Sequence, residues 1–231
     1  MQKISGKYLQ ETTSLALFPL TTLNSLAAKL ALRTFEKKQT IVDQERKAES
    51  VFILLTGVVQ IDYLSRDRQT VVALVPQGEL FGLEALDLNA RYPFRAVAFE
   101  KTTVAAINGK SLVELLLGIP YHTYLQWHRI ASEPQRNMHV HCIKGIGLDL
   151  RKRLALELLH LAERFGKPHR RGLHIDLNIS HELLAAIVGA SRQQVTEYLN
   201  HFDREKIISR EGRRIIVDRE NLQDNLVHGD E

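Results

Sequence analysis

The sequence predicts an α+β fold, in which a β-rich N-terminal part precedes a helical segment and a C-terminal pair of helices with a hairpin. Three observations support this prediction. Short runs of β-branched and apolar residues, separated by turn residues, fill residues 35–107. Apolar residues then recur at helical spacing within residues 121–148. Two short helices around a tight turn, followed by a hairpin, are predicted in residues 180–217. The predicted domains are 1–120, 121–148 and 149–231.

The β-rich part follows a short helical start, LTTLNSLAAKLALRTF. Its strand-like runs are TIVDQ, SVFILLTGVVQIDYL, TVVALV and FRAVAF, which predict an all-β sandwich or roll. Gly57, Gly78 and Gly82 stand where tight turns need a backbone conformation that glycine adopts easily.

The middle segment, residues 121–148, is predicted to be a long helix. Its apolar positions are Leu125, Ile130, Met138 and Ile143. Pro134 is expected to kink this helix, because proline lacks a backbone donor and clashes with the preceding turn. Gly145 and Gly147 are expected to form a hinge before Asp149 begins the next helix.

The C-terminal helix pair has clear start and stop signals. Ser180 is a predicted N-cap, and Gly189 suits the left-handed position that ends a helix. Ser191 and Gln194 form a predicted capping box at the start of the second helix. The buried positions of the two helices are predicted to be Leu183, Leu184, Ile187 and Val188, then Val195, Tyr198, Leu199 and Phe202.

The outward face of the second helix is polar and carries side chains that hydrogen-bond base edges in a major groove. We predict a DNA-reading module whose contacts are Ser180, Ser191, Arg192, Gln193, Thr196, Glu197, Asn200 and Arg213. Further phosphate contacts are predicted at Lys167, Arg170 and Arg171 on a loop and at Arg210 and Arg214 on the hairpin, with a solvated surface as the alternative.

Composition limits the other classes of function. The formal net charge of +4 suits a nucleic-acid partner, and a single cysteine argues against both a disulfide framework and a four-cysteine iron–sulfur cluster. No membrane-spanning or signal-peptide stretch is apparent, so we expect a cytoplasmic protein. No phosphate-binding GxxxxGK, zinc-binding HExxH or nucleophile elbow is found, so we do not expect an enzyme.

Residues 180–217 resemble, without a gap, the helix-turn-helix and wing of the Crp/Fnr family of bacterial transcription regulators, including IVGASR at the turn and IISREGRRIIV in the wing. The resemblance implies an N-terminal double-stranded β-roll of the cyclic-nucleotide-binding type, a long dimerisation helix and a C-terminal winged helix-turn-helix. It also implies an activator that binds a palindromic site as a homodimer and contacts RNA polymerase.

The family's recognition residues carry over only in part. Arg192 matches an arginine that reads guanine, Gln193 stands where the family often has glutamate, and Glu197 stands where many members have a second arginine. Glutamate cannot donate to guanine but can accept from the cytosine N4 amine, so the half-site should differ. The alternative for Glu197 is a solvated residue paired with Arg192 or Arg204.

The effector pocket departs from the family pattern. Leu83 replaces the ribose-binding glutamate after Gly82, and Phe94 replaces the phosphate-binding arginine, which argues against cyclic AMP. Glu84 and Arg95 lie one position away and could substitute, although a one-residue slip on a strand changes the face. Glu45 also replaces a glycine that is usual in the roll, so that turn is expected to differ.

Three features carry a further resemblance: an apolar residue after Phe81 and Gly82, an arginine that opens the segment before RAVAF, and the stretch RFGKPHRRGLHIDLNISHE. In these features the sequence resembles family members that sense 2-oxoglutarate more than those that bind cyclic AMP. Phe81, Gly82, Leu83 and Arg91 would then line the effector site, with Arg91 binding a carboxylate and Arg129 or Arg136 assisting from the helix. In the alternative, Arg91 and Arg95 are surface residues and side chains fill the pocket, as in members that bind no small molecule.

Two further alternatives remain open. His139, His141 and Cys142 could contribute to a metal, haem or redox sensor, although we expect ordinary interface residues and no metal site. The chain could also be a small-molecule-binding regulatory module whose DNA binding is accessory or lost.

Overall fold

The computed structural model describes residues 4–66, 69–87, 89–132, 136, 143, 146–212 and 214–228. The chain forms two compact units, residues 1–138 and 139–231. Several residues named above lie outside the described residues: Pro134, Met138, His139, His141, Cys142, Gly145 and Arg213. The predicted kink, the hinge glycine, the sensor histidines and the Arg213 contact therefore stay predictions.

Helices frame the β-strands of the first unit. They are α1 (Gly6–Thr12), α2 (Leu20–Lys29), α3 (Gly109–Leu117) and α4 (Tyr121–Ala131). The predicted helical start was too long, because the helix ends at Lys29 and Ala31–Phe35 forms strand β1. This segment becomes a strand because it pairs with Thr102–Asn108, a partner distant in the sequence.

The remaining strands of the first unit are β2 (Thr40–Val42), β3 (Ser50–Thr56), β4 (Val59–Leu64), β5 (Gln69–Val75), β6 (Leu80–Phe81), β7 (Arg95–Ala98) and β8 (Thr102–Asn108). These strands and β1 form two four-stranded antiparallel sheets, ordered β1-β8-β3-β6 and β2-β7-β4-β5. The four predicted strand-like runs are confirmed. Buried side chains from both sheets, such as Ile53 and Ala96, share one core with Leu112 of α3.

The turns of the roll have the expected conformation. Gly57, Gly78 and Gly82 have φ of 84°, 89° and 80°, which confirms the prediction. Glu45 also has a left-handed φ of 63°, a conformation that glycine adopts more easily than glutamate. Its carbonyl accepts a hydrogen bond of 2.5 Å from Arg91 Nη1, and its N–H donates to Tyr92 O. These contacts hold Glu45 in this strained conformation.

The second unit contains helices and one sheet. Its elements are α5 (Leu150–Phe165), β9 (Gly166–His169), β10 (Gly172–Ile175), α6 (His181–Val188), α7 (Arg192–Arg204), β11 (Ile208–Glu211), β12 (Arg214–Val217) and α8 (Arg219–His228). The four strands are ordered β11-β12-β10-β9 in the sheet. The predicted hairpin after α7 is confirmed. Lys167 was expected on a loop but lies in β9, because this segment pairs with β10.

Two arginines in the first turn of α5 contact both helices of the pair that follows. Arg153 donates from Nε to Val188 O (3.1 Å) and from Nη1 to Leu148 O (3.0 Å). Arg151 donates from Nη2 to Glu205 Oε2 (3.1 Å), just beyond the end of α7. The start of α5 is therefore bonded to the C-terminal ends of both α6 and α7.

Among the helices that the structure describes, none is long and apolar enough to cross a membrane.

Candidate nucleic-acid interface and effector site

The predicted caps of the helix pair are confirmed. Ser180 Oγ accepts from Leu183 N, and Gly189 ends α6 in the left-handed conformation with φ of 70°. At α7, Ser191 Oγ accepts from Gln194 N (3.2 Å) while Gln194 Oε1 accepts from Ser191 N (3.0 Å). The first residue of α7 is thus fixed by two reciprocal hydrogen bonds.

Helix α7 separates apolar and polar residues as expected. Val195, Leu199 and Phe202 are fully buried, and Tyr198 is half-buried with its ring 6.5 Å from that of Phe202. The exposed residues are Ser191, Arg192, Gln193, Glu197 and Asn200, while Thr196 is half-buried. A rigid, well-packed helix therefore carries a polar face that can enter a major groove.

The polar face already has internal contacts. Arg192 Nη1 lies 3.7 Å from Glu182 Oε1, and both side chains are more than two-thirds exposed, so the pair is weak and can yield to a base. Gln193 Nε2 donates to Glu197 Oε1 (3.1 Å). Glu197 thus pairs with Gln193, and not with Arg192 or Arg204 as the sequence alternative held.

His181 is part of this surface and was missed by the sequence analysis. Its Nδ1 lies 2.8 Å from Thr196 Oγ1, and Thr196 Oγ1 donates to Arg192 O (2.8 Å). Burial, followed by the nearby charges of Arg210 and Arg192, lowers the pKa of His181 below its usual value. A lone histidine after an N-cap gives no sequence signal that it will contact the next helix.

Arg210, a predicted phosphate contact, joins α7 to the hairpin. It donates from Nε to Asp203 Oδ2 (3.0 Å) and from Nη2 to Asn200 Oδ1 (2.8 Å). Arg210 uses only the amide oxygen of Asn200. The amide nitrogen of Asn200 is therefore still able to donate its N–H groups outward.

The other basic residues near the hairpins differ in exposure and pairing. Arg170, Arg171 and Arg214 are exposed, as a phosphate contact requires. Lys167 pairs with Asp176 at 2.5 Å, and its hydrogen bond lowers the pKa of that carboxyl.

In the first unit, Phe81 forms an aromatic cluster with Phe52, Tyr92 and Phe94, and Gly82 lies against this cluster. The Phe52 and Phe81 rings stack at 5.0 Å, and the Tyr92 ring lies 6.5 Å from Phe52 and 6.0 Å from Phe94. A Cβ on Gly82 would lie 3.0 Å from Ser50 O and 3.3 Å from Tyr92 Cε1. This close packing explains why glycine is needed there.

Leu83 and Glu84 begin a 3₁₀ helix, Leu83–Leu86, directly after Gly82. Both are half-buried. Glu84 Oε2 is buried without a hydrogen-bond partner among the described residues, and burial raises the pKa of this carboxyl. A half-buried leucine cannot replace the lost ribose-binding carboxylate, whereas Glu84 retains an unpaired oxygen.

The two predicted effector arginines have protein partners. Arg91 is exposed, and its Nη1 donates to Glu45 O. Arg95 Nη2 donates to Asp62 Oδ2 (2.9 Å), and this carboxylate is fully buried. Arg95 alternates along β7 with Ala96 of the core, so it lies on the opposite face of the sheet. The structure therefore does not bring Arg95 together with the aromatic cluster.

Asp62 has further donors. Gln60 Nε2 donates to Oδ1 (2.7 Å) and Gln69 Nε2 donates to Oδ2 (3.0 Å), so three side chains satisfy one buried carboxylate. This polar cluster was not predicted, because its members come from three strands.

The two arginines that were expected to assist effector binding from the helix, Arg129 and Arg136, are exposed. Among the described residues, no three His, Cys, Asp or Glu side chains lie together as ligands for a metal ion.

Comparison with known proteins gives matches in both units. Residues 152–224 match the Crp-like helix-turn-helix domain, and residues 32–118 match the cyclic nucleotide-binding domain. The chain is 28% identical over 199 residues to the global nitrogen regulator of Synechococcus elongatus, covering 84% of this chain and 89% of that protein. It is 24% identical over 195 residues to the CRP-like cAMP-activated global transcriptional regulator of Mycobacterium tuberculosis, covering 84% and 86%.

The structure of FixK2 from Bradyrhizobium japonicum superposes with a TM-score of 0.73 at 22% identity, covering 84% of this chain and 96% of that one. At this identity the likeness shows a shared fold.

Proposed function

We propose that this chain, a transcription regulator of the Crp/Fnr family, binds a palindromic DNA site as a homodimer and activates transcription under the control of a small-molecule effector. The observation that carries the DNA-binding part is the exposed polar face of α7, held by the capping box at Ser191 and by the buried Val195, Leu199 and Phe202. RNA polymerase is the proposed partner, and the cytoplasm the proposed location.

The proposed DNA contacts are Ser180, Ser191, Arg192, Gln193, Thr196, Glu197, Asn200 and Arg213. Arg192 reads guanine, because its guanidinium is exposed and its present partner Glu182 is weakly held. Glu197, oriented by Gln193, accepts from an amino group of cytosine or adenine. The half-site should therefore differ from that of members with two reading arginines.

For the domains we retain the boundaries 1–120, 121–148 and 149–231. In this division, α4 and the segment after it pair with the copy in a second protomer. Tyr121 and Leu125 support this proposal, because these large apolar side chains of α4 are 73% and 48% exposed.

Selection of bound sequences from a random DNA pool tests the DNA-binding proposal. We expect enrichment of a palindrome whose half-sites lie about one helical turn apart. A pool that stays random after repeated rounds would contradict the proposal and favour a small-molecule-binding module with accessory or lost DNA binding.

The proposed effector is a small carboxylate such as 2-oxoglutarate and not cyclic AMP, with Phe81, Gly82, Leu83, Glu84 and Arg91 at its site. The apolar Leu83 and Phe94 cannot bind a cyclic phosphate or its ribose, and Phe94 packs against the core. Arg91 is exposed and has guanidinium N–H groups beyond the one bonded to Glu45. Arg95 is left out of the site, because Asp62 binds it on the other face of the sheet.

Thermal unfolding with 2-oxoglutarate or cyclic AMP tests the effector. A ligand that binds only the folded protein contributes about 2.7 kcal/mol at one hundred times its dissociation constant. We expect a rise in melting temperature with 2-oxoglutarate, lost in Arg91→Ala and retained in Arg46→Ala, the matched change at a nearby exposed arginine. A rise with cyclic AMP alone would contradict the proposed ligand.

A further inference from the structure

His181 lies at the point where the first residue of α6 meets the recognition helix. Thr196 has one hydroxyl hydrogen, and this hydrogen is donated to Arg192 O. The 2.8 Å contact between His181 Nδ1 and Thr196 Oγ1 therefore requires that Nδ1 carries the hydrogen and donates it. Nε2 has no hydrogen-bond partner among the described residues and is the nitrogen that can accept a further proton.

Two positive charges act on this imidazole, those of Arg192 on α7 and Arg210 on β11. The pKa of His181 is lowered first by burial and then by these two arginines. Each arginine has a carboxylate partner of its own, Glu182 at 3.7 Å and Asp203 at 3.0 Å. In the free protein the neutral imidazole is thus favoured near neutral pH.

A DNA phosphate next to this surface favours the protonated form of the His181 imidazole over the neutral form. The phosphate brings a negative charge next to an imidazole on which two guanidinium charges act, and it accepts a hydrogen bond from a protonated ring nitrogen. We propose that His181 binds the DNA backbone as an imidazolium: Nε2–H donates to a phosphate oxygen while Nδ1–H holds Thr196 in its reading position. The proton comes from solvent, so each half-site takes up one proton at His181 when the complex forms.

This inference rests on the proposed DNA binding and adds to it a residue and a pH dependence. Because the bound form carries the additional proton, affinity rises as the pH falls. Because each proton taken up contributes up to tenfold in affinity for each pH unit, we expect a dimer with two such sites to bind at least about tenfold tighter at pH 6 than at pH 8. The additional phosphate contact should also make the salt dependence steeper at pH 6, by about 0.9 in log–log slope for each half-site.

The experiment measures the dissociation constant of the full chain on a selected palindrome and on a random duplex, from pH 6 to pH 8 and at several salt concentrations. The variant is His181→Asn, whose amide can donate to Thr196 but does not titrate. We expect His181→Asn to lose the pH dependence and the change in salt slope on both duplexes. His201→Asn, a matched change on α7 where the imidazole pairs with Glu205, should keep both.

Thermal unfolding first establishes that each variant is folded, and His181→Gln serves as a second variant if His181→Asn is not. A pH dependence that persists in the folded His181 variant would overturn the role of His181. If the wild type binds DNA with an affinity that does not change with pH, the role of His181 is also overturned, while the proposed DNA binding stands. If neither duplex binds at any pH, the DNA-binding proposal itself fails.

Discussion

Helix α7 and the β-roll differ in whether their polar side chains are already paired inside the protein. On α7, the exposed Arg192 and Gln193 have weak or neighbouring partners that a base can replace. In the β-roll, Arg95 and Asp62 form a buried ion pair with two additional amide donors. An arginine predicted to bind a ligand therefore remains available only where the protein has not already paired it with a buried carboxylate.

The largest effect is expected from breaking the buried cluster in the roll. Asp62→Ala removes a fully buried carboxylate and leaves Arg95 without its partner, so the free energy of unfolding should fall by about 3 kcal/mol. Urea unfolding measures it. Asp43→Ala, at an exposed aspartate of the same unit, should change stability by less than about 0.5 kcal/mol. Equal effects of the two changes would show that the Asp62 cluster does not hold the sheet.

The second largest effect is expected on DNA-binding affinity and not on the free energy of unfolding. Arg192→Ala should weaken binding of the selected site by about 2 kcal/mol and relax one base position, because it removes the proposed guanine contact. Selection and titration with the variant measure both. Arg204→Ala, at an exposed arginine in the last turn of the same helix, should leave the preferred sequence unchanged. A loss that is equal on all sequences would mean that Arg192 contacts phosphate.

A smaller effect is expected at the start of the recognition helix. Ser191→Ala removes one half of the capping box and should lower the free energy of unfolding by about 1 kcal/mol. Denaturant unfolding of the variant measures this loss. Ser191→Thr keeps a capping hydroxyl and should restore most of the stability. If threonine does not restore it, the hydroxyl does not act as a cap.

The smallest effect is a gain. Glu45→Gly relieves the left-handed backbone at φ of 63° but adds freedom to the unfolded chain, so we expect a net stabilisation of about 0.5 kcal/mol. Precise thermal unfolding can detect this gain. Glu45→Ala, which keeps the Cβ, should give none. Equal stability of the glycine and alanine variants would show that the turn is not strained.

How much of the structure could be predicted from the sequence depends on how far apart the interacting residues lie along the chain. The caps at Ser180 and Ser191, the glycine turns and the buried face of α7 follow from residues within a few positions of one another, and they were predicted. Strand β1 and the β9–β10 hairpin were not, because their conformation depends on pairing. The His181–Thr196 contact likewise depends on how two helices cross, for which a single sequence has no signal.

The arginine contacts of α5 have a consequence for exchanging DNA-reading modules between regulators. The match to the Crp-like helix-turn-helix domain begins at residue 152, yet Arg153 bonds the carbonyl of Leu148 and Arg151 bonds Glu205. A chimera joined at residue 152 would replace Arg151 and Leu148 with foreign residues while keeping their bonding partners. A graft that preserves the module should therefore be joined upstream of Leu148, so that the transplanted piece includes both partners of each of these hydrogen bonds.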